Sequence, residues 1–405
     1  MKAESGIVLN GSYHNSLTIV RSLARKNIPV IVGDESRGIK SYFGEGMLSR
    51  YVSHRFLYPS PEKSPSEFIE KINKISRKYG ARVLFPVGSD TYITISAYRE
   101  QLSKDIKMAL ADDAIIQKAH DKYRCLRYAE SIGIPFPKFV LLKNVTDFEE
   151  LNEFGLPLIV KPRKGAGNFG VKILNSLEEV IKMSKKLVEK SLRDAGQNNN
   201  DSIIYDESDP MIQEFVDGPV VDACAIAEHG DIRGILTQVR VKTLPPKGGY
   251  GVMNRTEKIP AVIEMADHLL SNLKWHGLAQ VEFKYDTKTK QYKLMEINPK
   301  FWGTLALSVA AGIDFPYMAY LLATNNQIEA FSSFKENCVF RWVLPNELFH
   351  VIQSENRWLA FKQYIADFFE PAHYNIDVRD PAPILSLMLK FFNKTFQGLA
   401  LDSTS

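Results

Sequence analysis

Two runs of alternating apolar and polar residues, 278–285 and 291–298, flank the polar stretch DTKTK (286–290) and predict a β-hairpin. With Tyr285 opposite Lys293, Glu282 falls opposite Glu296 and Gln280 opposite Asn298, all on one face. Val281, Phe283, Met295 and Ile297 then share the other face. Carboxylates directly opposite one another on paired strands repel. That face therefore either meets water, as half-buried sheets ordinarily do, or holds a cation. Glu282, Glu296 and the Asn298 amide oxygen would ligate a divalent ion. A turn shifted by one residue would split the set.

Upstream, the pattern changes. Residues 6–10 (GIVLN) form a short apolar run, followed by helical spacing over 15–26 and a second apolar run at 28–34. This β-α-β start predicts a parallel sheet. Asp34 ends the second strand where a dinucleotide-binding fold places its ribose acid, but the loop GSYHNS at 11–16 has one glycine where that fingerprint needs three. A third strand at 82–90 runs into a helix, with Ser89 and Asp90 at the junction, where such sheets hold ligands or simply cap helices. PSPEKSPS (59–66) reads as a loop. Helical spacing over 112–132 ends at Gly133, before Pro135 and Pro137.

In the middle of the chain, the strand 158–160 delivers Lys161 at its end, and Pro162 stops it. Lys164, Gly165, Gly167 and Gly170 follow before a second strand at 171–174. Glycines let backbone N–H groups converge on phosphate oxygens. No GK[ST] and no following helix are present, so this is a flap between strands rather than a P-loop; a turn with no ligand is the alternative. A helix (176–193), a polar tract (194–202) and a strand at 211–219 carrying Glu214 come next. In 232–242 a strand projects Arg240 and Lys242 two residues apart on one face, before a loop with Pro245-Pro246 and Gly248-Gly249. Two such cations clamp phosphate or carboxylate, or face solvent. Beyond 331 lie a strand-like CVFRWVLP, a helical NELFHVIQ and an apolar, proline-led helix at 380–396. Packing of that helix on the core is expected over a membrane surface.

With 405 residues there is room for two or three domains, and 45% hydrophobic with 24% charged residues describes a globular enzyme. The net charge of +4 is spread along the chain, so no nucleic-acid footprint is expected. Cys125, Cys224 and Cys338 are far apart, which excludes a CxxC zinc site and fits a reducing cytoplasm. Neither a signal peptide nor an apolar run of spanning length is visible, so a cytoplasmic protein is expected.

Six stretches in order resemble the ATP-grasp superfamily: Lys122 in DKYRC, Lys161 in IVKP, the loop KGAGNFG, QEFVDG, VEF at Glu282 and EINPKFWG. The resemblance covers about 118–325, and RVKTLPPKGG and LMEINPKFWGTLALSVAAGIDFPY are similar to signatures of its carboxylate–amine ligase and carboligase branch, related to biotin carboxylase. It implies an α/β chain: a Rossmann-like pre-ATP-grasp domain (1–117), an α+β ATP-grasp domain (118–330) with a lid at about 136–212, and an α-rich extension (331–405). By resemblance, Lys122 and Lys161 contact ATP phosphates, and the 164–170 loop closes over them. Glu214 and the backbone of Phe215 and Val216 hold adenine. Asp222 is the nearest acid for the ribose, although Val220 and Val221 stand where the family offers a glutamate. Glu282, Glu296 and Asn298 bind Mg2+, or Mn2+ in its place. Arg240 stabilises charge on the transferring phosphoryl group, with Lys242 and Lys300 as further catalytic cations. Lys300 stands where the family often has arginine, keeping the charge but losing the bidentate fork.

The implied reaction is ATP-dependent ligation. A carboxylate attacks the γ-phosphorus, and an amine, or a thiol, displaces phosphate from the acyl phosphate. Small-molecule acids and amines are the expected partners, with a homodimer as the default assembly. An ATP-grasp kinase and a non-catalytic nucleotide-binding regulator are the rival readings. Ser89, Asp90, Lys247, Tyr250, Arg255 and Trp302 are acceptor-side candidates.

Overall fold

The computed structural model describes residues 4–165, 170–194, 209–246, 248–331, 333–389 and 391–392. Its first layer is a four-stranded, all-parallel sheet, β1 (Ser5–Val8), β2 (Val30–Glu35), β3 (Val52–Tyr58) and β4 (Ala81–Phe85), in the order β3-β2-β1-β4. Its central strands are continuous buried apolar runs, because helices cover both faces. The helix Pro65–Tyr79 has proline at its start and Gly80 in the left-handed region (φ 64°) at its end, the usual asymmetry of helix termini.

The stretch expected as a lid contains a second four-stranded sheet: β5 (Phe139–Leu141), β6 (Leu158–Lys161), β7 (Lys172–Leu174) and β8 (Met211–Glu214), in the order β5-β8-β6-β7. A separate small core around Leu158, Val160, Val180 and Ile212 holds it together. The largest element is a seven-stranded sheet. It contains β9 (Val220–Glu228), β10 (Asp231–Leu244), β11 (Tyr250–Thr256), β12 (Gly277–Asp286), β13 (Gln291–Asn298), β14 (Val339–Arg341) and β15 (His373–Tyr374), in the order β13-β12-β9-β10-β11-β14-β15. Two shared apolar clusters join it to the parallel sheet: Ile7 and Leu9 belong with Trp275 and Phe283, and Val8 and Phe85 with Leu278, Phe301 and Trp302.

Two expectations change here. The helical stretch 112–132 is two helices, Asp113–His120 and Lys122–Ser131, broken at Asp121, whose side chain caps the second by accepting from Arg124 N. Residue 118 thus falls inside the first of them. The central sheet also continues beyond 331, since β14 and β15 are its outer strands. Of the proline-led helix, residues 382–389 and 391–392 are described, whereas Lys390 and Lys394 are not. No helix among the described residues is long and apolar enough to cross a membrane, and the three cysteines are buried and unpaired.

The end of the chain is pinned to its beginning. Asp380 is fully buried and accepts from Arg21 Nε (3.0 Å), Ser49 Oγ (2.8 Å) and Arg50 N (2.9 Å). Removing one partner of a buried ion pair strands the other. Asp380→Ala is expected to lower unfolding free energy by about 3 kcal/mol, and Asp380→Asn by less, because an amide oxygen still accepts from Ser49 and Arg50. Denaturant midpoints measure this; an unchanged midpoint in the alanine variant would show that the pin contributes nothing.

Candidate active site

The hairpin β12–β13 pairs Glu282 with Glu296 and Gln280 with Asn298, as alternation implies, but Tyr285 faces Tyr292 and Lys284 faces Lys293. A β-bulge after Glu282 reconciles the two registers: Phe283 pairs with Leu294, and Met295 is the extra residue. Leu294 is therefore buried beside Phe283, in the place expected of Met295. The adjacent apolar pair Leu294-Met295, which interrupts the alternation, is the sign of this bulge in the sequence.

On the other side β12 pairs with β9, and Glu282 lies opposite Asp222. Three carboxylates therefore stand abreast on three neighbouring strands. Asp222, expected to face a ribose, instead sits deep in this row, 1% exposed, taking hydrogen bonds from Gln238 Nε2 (3.1 Å) and Arg240 (3.4 Å). Arg240 also bridges to Glu282 and donates to the Gly249 carbonyl (3.3 Å). Burial raises the Glu282 carboxyl above the usual carboxylate range, against the pull of Arg240.

Glu296 is approached from the opposite side. Lys122, at the start of its helix, lies 3.3 Å from Glu296 and donates to the Gly165 carbonyl of the flap (2.9 Å). Lys161 enters from the end of β6, buried. Burial raises the Glu296 pKa, but Lys122 and Lys161 outweigh it and hold the carboxyl down to about 2. Asn298 donates its amide nitrogen to Glu296 (3.0 Å), which leaves its amide oxygen for another partner. Lys161 itself is pushed down to about 8 by burial and by Lys122, against the attraction of Glu296 and Glu282.

The donor set suits a hard divalent ion: two facing carboxylates and an amide oxygen, each carboxylate already matched by a basic side chain. No cluster of three His, Cys, Asp or Glu able to hold a metal occurs among the described residues, and here the third donor is an amide.

At the far end of the hairpin, Lys293 is carried by the bulged register to Glu214 (3.0 and 3.2 Å) and Asp286 (2.9 Å). Lys138 N also donates to Glu214 (3.0 Å). The Glu214 carboxylate, expected as an adenine acceptor, is thus engaged with Lys293 and the Lys138 amide. Val216 O accepts from Lys284 Nζ (2.8 Å), whose charge lies over the Phe215 ring. Arg163 closes the other root of the lid, bonding Asp121 (2.5 and 3.2 Å) while its carbonyl accepts from Lys122 N (2.9 Å). Sequence reasoning passed over Asp121, Arg163, Gln238 and Lys293; an acid just before DKYRC's helix was the visible cue for the first.

The structure sets Lys242 apart from Arg240. A second bulge, between Arg240 and Lys242, separates the two cations. Lys242 pairs with Glu347 (2.8 Å) and Asp367, away from Arg240's partners. Lys164, Gly165 and Gly170 flank the flap, while Gly167 and Lys247 lie outside the described residues. Arg255 pairs with Glu257 (2.9 Å), Trp302 is buried edge-on against Phe315, and Tyr250 is exposed.

Comparisons with known proteins fit this geometry. The family model described as "ATP-grasp in the biosynthetic pathway with Ter operon" matches residues 207–344. The carbamoyl phosphate synthase large chain of Clostridium acetobutylicum is 24% identical over 286 residues, covering 67% of this chain and 25% of the relative. The chain therefore spans about a quarter of that relative's length. Biotin carboxylase from Campylobacter jejuni, solved with β,γ-ATP, superposes with TM-score 0.65 at 14% identity over 83% of this chain and 74% of that one. The ADP complex of purK, N5-carboxyaminoimidazole ribonucleotide synthetase, gives 0.62 at 13% identity over 89% and 87%.

Because the Lys161 ammonium loses its proton near pH 8, kcat/KM for ATP is expected to fall as pH rises through that value. Lys161→Arg should move this limb upward. A profile flat to about pH 9.5 would show that the charge on Lys161 is not used in binding ATP.

Proposed function

The chain belongs to the ATP-grasp superfamily, and from that premise we propose that it is an ATP-dependent ligase that activates a small carboxylic acid as an acyl phosphate and passes it to an amine. The observation that carries this reading is the acid row Glu296–Glu282–Asp222, with Lys122, Lys161 and Arg240 converging on it from three separate elements. Binding alone does not require two carboxylates to be forced together and then neutralised from both sides.

In this mechanism Lys122 and Lys161 bind phosphate oxygens, and the flap that begins at Lys164 covers them. The main chain at Glu214–Val216 presents hydrogen-bonding groups to the base. Magnesium held by Glu282, Glu296 and Asn298 would neutralise phosphate charge. Arg240, oriented by Asp222 and by the Gly249 carbonyl, stabilises charge as the γ-phosphoryl group moves to the substrate carboxylate. ADP leaves, and the amine lone pair attacks the acyl carbon, expelling inorganic phosphate and yielding an amide. The flap and lid keep water from the acyl phosphate. Lys300 lies at the acid-substrate end.

Trapping with hydroxylamine tests the reading. With Mg-ATP and the correct acid, hydroxamate and ADP are expected in equal amounts. Glu296→Gln should cut ADP release by about a thousandfold. ADP without hydroxamate would indicate a kinase, and near-normal turnover of the variant would remove Glu296 from the mechanism.

A further inference from the structure

Large apolar side chains left in water mark an interaction surface when they gather in one place. More than half of those exposed among the described residues lie between Ile352 and Phe392. The helix Arg357–Ala366 buries none of its residues. Trp358 (66% exposed), Phe361 and Ile365 lie on one stripe of it, three and four residues apart, and Phe369 (86% exposed) follows its end. The proline-led helix repeats the pattern. Its Ser386 and Leu387 are buried, while Leu385, Met388, Leu389 and Phe392, at i, i+3, i+4 and i+7, are exposed. Packing on the core therefore uses one side of this helix, and the other side is apolar as well.

These helices are fixed to the rest of the protein. Phe349, in the helix Leu348–Gln353, lies against Phe391 (5.3 Å between ring centres), which joins the terminal helix to those before it. The rings of Tyr364, Phe368 and Tyr374 surround buried Arg341, and Asp380 is held by Arg21, Ser49 and Arg50. The same contacts bring cations to the apolar side chains. Arg50 donates to the Arg379 carbonyl (3.2 Å), next to Val378, which is 85% exposed. Lys362 Nζ lies over the Trp358 ring, 5.1 Å from its centre. Of the acids between Glu355 and Asp380, Asp367 and Asp380 are committed to buried ion pairs. That leaves Glu355, Glu370 and Asp377 against Arg50, Arg357, Lys362 and Arg379, and Asp377 already accepts from Arg379 N (2.9 Å). From Pro381 to Phe396 the sequence carries Lys390 and Lys394 and no acid. The balance is positive.

We propose that the C-terminal segment docks the protein on an anionic lipid surface, its apolar stripes entering the acyl boundary and its arginines and lysines meeting the headgroups. A second copy of the chain would also cover apolar side chains, but it would set the same arginines and lysines against one another. Acidic headgroups match both the stripes and the charge around them. Indole and phenyl rings beside lysine and arginine are the composition of helices that lie in a bilayer surface rather than cross it. Docking of this kind is independent of the reaction at the acid row.

Vesicles of phosphatidylcholine, alone or with about 30% phosphatidylglycerol, test this with the full chain. The protein should sediment with the mixed vesicles, not with the neutral ones, and be released as salt is raised. Trp358 is the exposed member of the chain's four tryptophans, since Trp275, Trp302 and Trp342 are buried. Brominated acyl chains should therefore quench wild-type fluorescence, and Trp358→Phe should lose that quenching. Phe369→Glu combined with Val378→Glu, at two nearly free positions, should lower the partition coefficient about tenfold or more with the denaturation midpoint unchanged. Lys362→Glu should lower it about fivefold or more. The wild-type comparison of the two vesicles stands whatever the variants do. Equal binding to neutral vesicles overturns the anionic-lipid assignment. Sedimentation without quenching gives the binding to another face and overturns this one. No binding to the mixed vesicles overturns the proposal, as does a dimer in vesicle-free solution that the double glutamate variant splits, which would assign these side chains to a second copy.

Discussion

Three carboxylates on neighbouring strands set the terms for the rest of this molecule. Glu296, Glu282 and Asp222 lie at paired positions on β13, β12 and β9. At about 5 Å and an effective dielectric near 20, each adjacent pair repels by about 3 kcal/mol. No single element supplies the compensation. Arg240 comes from β10, Lys122 from a helix N-terminus and Lys161 from the lid. The two glutamates respond in opposite directions: Glu296, between two lysines, is held ionised, while burial raises Glu282 despite its arginine. The cleft thus has an electrostatic gradient along a single hairpin.

That arrangement depends on the lid being held at both roots. Arg163 and Asp121 tie the strand that delivers Lys161 to the helix that delivers Lys122, so the two lysines are positioned by one clasp. Lys293 and Glu214 tie the other root to the hairpin itself. Both ties are ion pairs between partly buried side chains, which depend on geometry more than hydrophobic contacts do. The lid has a small apolar core of its own, and Leu141 and Met211 also join the main core, so these contacts and burial together fix how it stands over the sheet.

Much of this was legible in the chain. Strict alternation identified the hairpin and the face bearing Glu282, Glu296 and Asn298, because a period of two leaves little freedom once one face must be apolar. The unbroken apolar runs at 6–10 and 28–34 marked a parallel sheet for the same kind of reason. The misses came where the period breaks. One extra residue at Met295 moved Lys293 from an expected partner of Tyr285 to the anchor of Glu214. A bulge after Arg240 gave Lys242 different neighbours from those its spacing implied. A bulge costs one residue and marks the sequence only by a local break such as Leu294-Met295, whereas it turns every side chain beyond it. Asp121 was hidden differently: an N-cap inside a long helical pattern looks like one more polar position.

Lys242 also explains why the sheet runs on past residue 331. Lys242 meets Glu347 and Asp367, and Glu347 is in turn held by Arg341 (2.9 and 3.1 Å), with Arg341 and Glu347 fully buried. The Arg341 guanidinium lies over the rings of Phe368, Tyr364 and Tyr374, all from the C-terminal segment. Drawing Lys242 toward a phosphate would leave Glu347 and Asp367 short of a cation in a desolvated place, at a cost of several kcal/mol. A nucleotide cannot recruit it cheaply. The segment beyond 331 therefore does more than cover an edge: it commits one of the two strand cations to structure. Arg240 is then the β10 cation that faces the acid row, and its guanidinium is aligned from below by Asp222 and from the loop by Gly249. The cation that this strand presents to the acid row is a single fixed arginine, supported by a sheet edge that the C-terminal segment completes.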